Sequence, residues 1–344
     1  MNMKLFNADL DVKNLYIKRD DSTGLIAIIA LHNLKNGPAL GGCRFVSYPS
    51  VDEAIADALK LAKAMTYKSA MAGLPLGGGK SVIISHDGIK DRQKLFESFG
   101  EFVEQLKGEY ITASDSGSNE SDMRIIATKT KHVTSINRHH DHEDDTAFMT
   151  SRGVVKAIEA AVQSKLGKPD LNGVHVAIQG IGSVGFLLMN MLLEKGAVIT
   201  ITDKDEKVLA ERTKGLPVKT VTPEQITEVA CDVFSPCALG GILTPTVIEK
   251  IKAPIVCGAA NNQLQSLECG DLLKQRDILY VPDYVANAGG VICAAAQAGV
   301  ITRDDSHHKV DGIYALVKKV IDRAKEINLS TQLVANQLAE ERFM

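Results

Sequence analysis

The sequence predicts an α/β protein of two domains, a mixed α/β N-terminal domain followed by a doubly wound parallel sheet. Three observations carry this prediction. Apolar runs alternate with helically spaced segments along most of the chain, the pattern of layered α/β folds. A strand, a glycine turn, an apolar helix and a second strand ending in an acidic residue follow one another across 174–203. A polar run, Arg138-His139-His140-Asp141-His142-Glu143-Asp144-Asp145, separates two apolar stretches. The 344 residues suffice for two cores of ordinary size.

In the first domain, set at 1–135, Leu25–Leu31 is a continuous apolar run that suits a buried strand. Asp52 to Met65 places Ile55, Ala58, Leu59, Ala62 and Met65 on one helical face, with Lys60 and Lys63 opposite. Ser81–Ser85 reads as a strand behind the glycine run Gly77-Gly78-Gly79-Lys80. Leu95–Leu106 reads as an amphipathic helix, and Tyr110–Ala113 as a strand ending before Ser114-Asp115. The His/Asp run is expected to be a solvated linker, because consecutive residues rarely converge on one metal ion.

The second domain, 146–327, opens with the strand Val174–Gln179, the helix Phe186–Glu194 and the strand Val198–Thr202. Further strands at Val218–Val221, Asp232–Ser235, Ile255–Cys257 and Ile278–Val281 alternate with helical stretches, which predicts parallel winding. A closing helix, Val310 to Ile327 and on through Leu333–Glu341, is long enough to run back, so 328–344 is expected to join the first domain.

Composition narrows the function classes. Net charge is −3, which points to no nucleic acid and no membrane surface as partner. No apolar run reaches membrane-spanning length, and the first residues lack the long apolar core of a signal peptide. Six cysteines are scattered without a C-x-x-C pair, as expected of reduced thiols in a cytoplasmic protein.

Gly180-Ile181-Gly182-Ser183-Val184-Gly185 lies between strand and helix, the setting a dinucleotide fingerprint needs. Its glycines serve a tight turn, a close approach to pyrophosphate and helix–strand packing in a Rossmann unit, and the helix N-terminus offers free N–H groups. Asp203 ends the second strand, where a carboxylate accepts from ribose hydroxyls and repels a 2′-phosphate, favouring NAD over NADP. Gly79-Lys80-Ser81 is no phosphate loop: the position five before Gly79 is Leu74, and a strand pattern follows where a helix should begin. The glycines before Lys80 are instead expected to let backbone come close to a ligand.

Several long motifs occur together: Gly37-Pro38-Ala39-Leu40-Gly41-Gly42, Met65-Thr66-Tyr67-Lys68, Gly77-Gly78-Gly79-Lys80, Pro236-Cys237-Ala238-Leu239-Gly240, Gly258-Ala259-Ala260-Asn261-Asn262-Gln263-Leu264 and Asn287-Ala288-Gly289-Gly290. From about residue 25 to the end the chain resembles the Glu/Leu/Phe/Val amino-acid dehydrogenase family, above all its leucine-specific members. The resemblance implies NAD-dependent, reversible oxidative deamination of a branched-chain L-amino acid to a 2-oxo acid and ammonia, by a homo-oligomer of at least two chains. It implies that Lys80 is the catalytic lysine, Asp115 its proton-handling partner and Lys68 the carboxylate-binding residue, with Gly41 and Gly42 near the substrate. A second lysine near Lys68 is disfavoured in its charged form by repulsion and burial, which suits a base. Thr150, Cys237, Ala238, Asn261, Asn262 and Asn287 would contact cofactor or substrate.

By the same resemblance, Leu40, Ala113, Val291 and Ala294 line the side-chain pocket. Glutamate-specific relatives place a lysine where Leu40 sits, so a γ-carboxylate has no partner. Ala294 stands where leucine-specific relatives carry valine, and the extra room suits an aromatic side chain as the alternative. Ser114 and Ser116 flank Asp115 where the family more often has Glu and Val. The chain ends at Met344 without the C-terminal extension of many relatives. A non-catalytic dinucleotide-binding protein would have no need of Lys68, Lys80 and Asp115 together. No metal is expected.

Overall fold

The computed structural model describes residues 12–136, 144–238 and 240–344. These divide into two compact units. The first comprises the described residues up to Ala70, Pro75–Ile136 and Phe343; the second comprises Met71–Leu74, the described residues from 144 to Arg342, and Met344.

The first unit is built on a five-stranded sheet of β1 (Asn14–Asp20), β2 (Leu25–Asn33), β3 (Ala39–Val46), β4 (Gly77–Ile84) and β5 (Tyr110–Ser114), in the order β1-β2-β4-β3-β5. The β1–β2 and β2–β4 pairs are antiparallel, whereas β3 runs parallel to both β4 and β5. Its helices are α1 (Val51–Met71), α2 (Arg92–Gln105) and α3 (Glu120–Ile126). Side chains alternate across a strand, so each strand feeds two cores. Ile28, Ala30, Val82 and Ile84 pack with Ala54, Ala58 and Ala62 of α1 on one face. Ala27, Ile29, Ala39, Cys43, Ile83 and Tyr110 pack with Leu95, Phe96 and Phe99 of α2 and Met123 and Ile126 of α3 on the other. The Asp91 carboxylate caps α2 by accepting from the Lys94 N–H, and Asn119 and Asp122 form a capping box on α3.

The second unit contains α4 (Thr146–Leu166), β6 (His175–Gln179), α5 (Ser183–Glu194), β7 (Val198–Thr202), α6 (Glu206–Thr213), β8 (Val218–Thr220), β9 (Val233–Pro236), α7 (Pro245–Lys250), β10 (Ile255–Val256), α8 (Glu268–Gln275), β11 (Leu279–Tyr280), α9 (Asp283–Ala286), α10 (Gly289–Gln297), α11 (Arg303–Asp311), α12 (Ile313–Glu326) and α13 (Thr331–Phe343). Its sheet runs β11-β10-β9-β6-β7-β8 with every pair parallel, the doubly wound order with its reversal between β6 and β9.

Four readings change. The strand does not start behind the glycine run at Ser81: β4 begins at Gly77 and takes in all three glycines and Lys80. The first helix continues past Met65 to Met71 and so carries Lys68 in its last turn. β1 and β3 have no counterpart in the expected elements, β3 because two glycines interrupt its pattern. The closing helix is three helices, interrupted at Gly312 and at Asn328, whose φ of 55° lies in the left-handed region. Within 328–344, Phe343 groups with the first unit, its ring edge-on to Tyr67 at 5.2 Å, and 328–342 group with the second.

Of the His/Asp run, 138–143 lies outside the described residues. Asp145 caps α4 by accepting from the N–H groups of Ala147 and Phe148, and Asp144 pairs with Arg303 at 2.8 Å. Among the described residues no group of His, Cys, Asp or Glu is placed to hold a metal ion, and no helix is long and apolar enough to cross a membrane.

Candidate active site

In the first unit, strand parity decides what meets. Ala39 and Cys43 of β3 face α2, so Leu40, Gly42 and Arg44 face the side that α1 covers. Lys80 shares its parity with Val82 and Ile84, which pack on α1. Tyr110 faces α2, which turns Ala113 and, just past the strand end, Asp115 toward the α1 face. Lys80, Asp115, Leu40, Ala113, Gly42 and Arg44 therefore share one face of three adjacent strands. The Lys80 ammonium donates to Oδ2 of Asp115. Lys80 is only 6% exposed, whereas the Asp115 side chain keeps 21% of its surface open.

The glycines make this approach possible. A Cβ on Gly41 would lie 1.7 Å from the Gly79 carbonyl oxygen, and one on Gly42 would lie 2.7 Å from the Asp115 Cβ. A Cβ on Gly78 would lie 2.1 Å from the Thr66 nitrogen in α1, so the absent side chain lets the helix end bearing Lys68 settle on the strand bearing Lys80. Lys68 itself is half-buried there. The glycine run thus serves contact between chain segments rather than a turn.

The loop after β5 is pinned to β3. Ser118 Oγ donates to the Cys43 carbonyl at 2.7 Å, the Phe45 N–H donates to the Ser116 carbonyl at 2.9 Å, and the Asp115 N–H donates to Ser118 Oγ at 3.0 Å. Ser116 thus contributes through its backbone. Burial pushes the Asp115 carboxyl up, but the Lys80 ammonium and the Arg44 guanidinium outweigh it and hold the group below the ordinary aspartate value. Burial pushes the neighbouring Cys43 thiol up to about 12, so it is no thiolate nucleophile.

In the second unit the candidate cofactor residues collect at the carboxyl ends of the parallel strands, where doubly wound sheets bind ligands. Gly180 follows β6 with φ of 103°, a conformation only glycine adopts freely, and its missing Cβ leaves room for Ala238, just beyond β9. A Cβ on Gly185 would lie 2.0 Å from the Gly180 carbonyl oxygen, the close helix–strand packing the fingerprint requires. Gly182, at the start of α5, has nothing within 4 Å of its Cβ position, and no side chain caps the helix. Open space beside free N–H groups, near Ser183 and Val184, fits a pyrophosphate. Buried Ile181 is gripped at both ends of its backbone: its N–H donates to Asp203 Oδ2 at 2.8 Å, and its carbonyl accepts from Arg212 at 2.5 Å. Asp203 Oδ1 accepts the Asp205 N–H at 2.9 Å, so both carboxylate oxygens shape the loop.

Cys237 is tied to the end of β6, its N–H donating to the Gln179 carbonyl at 2.8 Å. Asn287 Nδ2 donates to Asn261 Oδ1 at 2.8 Å and to the Ala259 carbonyl at 2.9 Å, while its buried Oδ1 has no protein partner. An orphaned amide oxygen at this edge fits an amide-bearing cofactor. Asn262 adopts a left-handed conformation, φ 52°. Thr150 Oγ1 donates back to the Thr146 carbonyl and abuts Gly290. Of the pocket candidates, Leu40 and Ala113 lie in the first unit, and Val291 and Ala294 lie buried on α10 in the second. Arg44 and Arg212 carry no distinguishing signal in the sequence; Arg44 stands two residues beyond Gly42, and only the fold shows that it reaches Asp115 and that Arg212 reaches the Ile181 carbonyl.

A parallel sheet with a dinucleotide fingerprint at its switch point defines a dinucleotide-binding protein. Comparison with known proteins narrows that class. Residues 12–132 match the "Glu/Leu/Phe/Val dehydrogenase, dimerisation domain", and residues 143–222 and 207–343 match the "Glutamate/Leucine/Phenylalanine/Valine dehydrogenase" family. The chain belongs to this family: it is an amino-acid dehydrogenase, an oxidoreductase acting on CH–NH2 donors, and its cofactor is NAD. It is 41% identical over 333 residues to leucine dehydrogenase of Geobacillus stearothermophilus, covering 97% of this chain and 91% of that protein. It is 40% identical over 329 residues to phenylalanine dehydrogenase of Thermoactinomyces intermedius, covering 94% and 89%. The crystal structure of L-tryptophan dehydrogenase from Nostoc punctiforme matches with a TM-score of 0.84 at 35% identity, covering 97% of this chain and 96% of that one.

Proposed function

We propose that the enzyme deaminates a branched-chain aliphatic L-amino acid, of the leucine type, reversibly to its 2-oxo acid and ammonia. The observation that carries this reading is the pair of buried Lys80 and partly exposed Asp115 on the sheet face it shares with the apolar Leu40 and Ala113. Leu40 offers no cation to a γ-carboxylate, which speaks against a glutamate-type substrate. In this reading the Lys68 ammonium holds the substrate carboxylate as a point charge. NAD, held by Gly180–Gly185, Asp203 and the Asn261–Asn287 pair, supplies the acceptor for the Cα hydrogen. Lys80 takes a proton from the water that adds to the resulting imine carbon. Lys80 hands that proton to Asp115, which passes it to the departing nitrogen, and as the C–N bond breaks the hydroxyl proton goes to Lys80, leaving 2-oxo acid and ammonia. The first unit would also carry assembly into at least a dimer, in line with the dimerisation domain it matches.

An aromatic substrate is the second reading, supported by the small Ala294 and by similarity to the tryptophan and phenylalanine enzymes. The test is initial-rate NADH production with a panel of L-amino acids at fixed NAD. Leucine, isoleucine or valine should give the highest kcat/KM. Preference for phenylalanine or tryptophan would replace the first reading with the second, and absence of turnover with every amino acid would overturn both.

A further inference from the structure

Asp115 Oδ2 is claimed by two cations. Lys80 donates to it from β4, and Arg44 Nε donates to it at 3.3 Å from β3. Arg44 is held from behind by α1: its Nη1 donates to Asp57 Oδ2 at 2.8 Å, and the Tyr48 hydroxyl donates to that same oxygen at 2.6 Å. The result is an alternating chain of charges, Asp57, Arg44, Asp115 and Lys80, whose side chains are a quarter exposed or less. Parity alone puts Arg44 here, two residues beyond Gly42 on the same face of β3.

A carboxylate beside a lysine favours the ammonium form, which has no lone pair for taking a proton. A second cation on the same oxygen weakens that hold. We propose that Arg44 is a positioning residue for the reaction: fixed by Asp57 and Tyr48, it locates Asp115 and takes a share of Oδ2, so that Lys80 is freed to act as a base. This rests on the assignment of Lys80 and Asp115 as the reacting pair. The low proton affinity of the Asp115 carboxyl despite its burial, to which Arg44 contributes, agrees with a carboxylate answering two cations. Of the titratable and charged groups around the pair, Arg44 from β3 shares its face, whereas Cys43 and Tyr110 lie on the opposite face of the sheet, within electrostatic range of Asp115. Asp57 of α1 reaches the pair through Arg44, and α1 carries Lys68 in its last turn; Asp122 on α3 is engaged by Arg92 at 2.7 Å.

The experiment is the pH profile of kcat/KM for deamination, with NAD binding and thermal unfolding measured on each variant. Arg44→Gln should move the acid limb upward by about one pH unit, the effect of removing a charge at this range. It should also lower limiting kcat by about 10- to 100-fold with little change in the KM of the amino acid. Arg44→Lys keeps the charge, so the limb should stay, but kcat should fall because an ammonium cannot fork between Asp115 and Asp57. Asp57→Asn should move the limb the opposite way, to lower pH, because Arg44 then commits more fully to Asp115. An unmoved limb in folded Arg44→Gln overturns the proposal; if that variant fails to fold, an unmoved or raised limb in Asp57→Asn does the same. Asp115→Asn separates the two levels of inference. Wild-type turnover in that variant removes the underlying assignment, whereas lost turnover alongside an unmoved Arg44→Gln limb removes only the role of Arg44.

Discussion

Gly42→Ala is the substitution that tests the candidate site most directly. The new Cβ would sit 2.7 Å from the Asp115 Cβ and 2.9 Å from the Ser114 carbonyl oxygen, where ordinary contact begins at 3.4 Å. The two segments must therefore part by about 0.7 Å to relieve the first contact alone. The loop cannot retreat freely, because Ser118 Oγ and the Phe45 N–H tie it to β3 just after Asp115, and the pairing of Ser114 with Cys43 holds the chain just before it. Most of the displacement then falls on the Asp115 side chain, away from Lys80. A misplacement of about 1 Å costs on the order of 100-fold in rate, so kcat should fall by about 10- to 100-fold. Overpacking of this kind destabilises by about 1–3 kcal/mol, which leaves the fold intact with a Tm lowered by several degrees. Gly41→Ala is the harsher control: its Cβ would lie 1.7 Å from a backbone oxygen of β4, a clash that no rotamer relieves, and it should not fold. Initial rates by NADH absorbance, thermal unfolding and NAD binding on Gly42→Ala decide the matter. A folded variant with wild-type kcat would mean that the position of Asp115 does not limit the reaction.

Lys80→Ala should abolish turnover by about 10²–10⁴-fold while NAD still binds, since the fingerprint lies in the other unit; equilibrium NAD binding and initial rates check both halves. Asp203→Ser removes the charge that excludes a 2′-phosphate and weakens the grip on the Ile181 N–H, so the ratio of kcat/KM for NADP to that for NAD should rise; an unchanged ratio would mean that Asp203 does not face the ribose. Ala294→Val should penalise phenylalanine relative to leucine by about 1–3 kcal/mol in kcat/KM if the position lines the pocket. At 4% exposure the added methyls also stress packing, so thermal stability must be measured alongside, and equal losses for both substrates would remove Ala294 from the pocket.

The sequence by itself determined the strand–turn–helix–strand segment that opens the second unit's sheet. Strand β6, the glycine turn, α5, β7 and Asp203 fall within 29 consecutive residues, His175 to Asp203, and each is specified by local rules: strand content, three spaced glycines and the free N-terminus of a helix. Motif resemblance likewise singled out Lys68, Lys80 and Asp115. Tertiary structure decided the rest. Gly77–Gly79 has almost no intrinsic preference for a strand, and Ala39–Val46 carries two glycines at its centre. These segments extend because their neighbours approach closer than any side chain allows, a contact with Thr66 or Asp115 that no local window contains. Lys80 meets Asp115 across 35 residues and Arg44 meets it across 71, through the sheet order β4-β3-β5. The closing helices break at Gly312 and at left-handed Asn328 although the apolar spacing invites continuation. Periodicity encodes which face a residue takes, whereas which faces meet depends on packing between segments far apart in the chain.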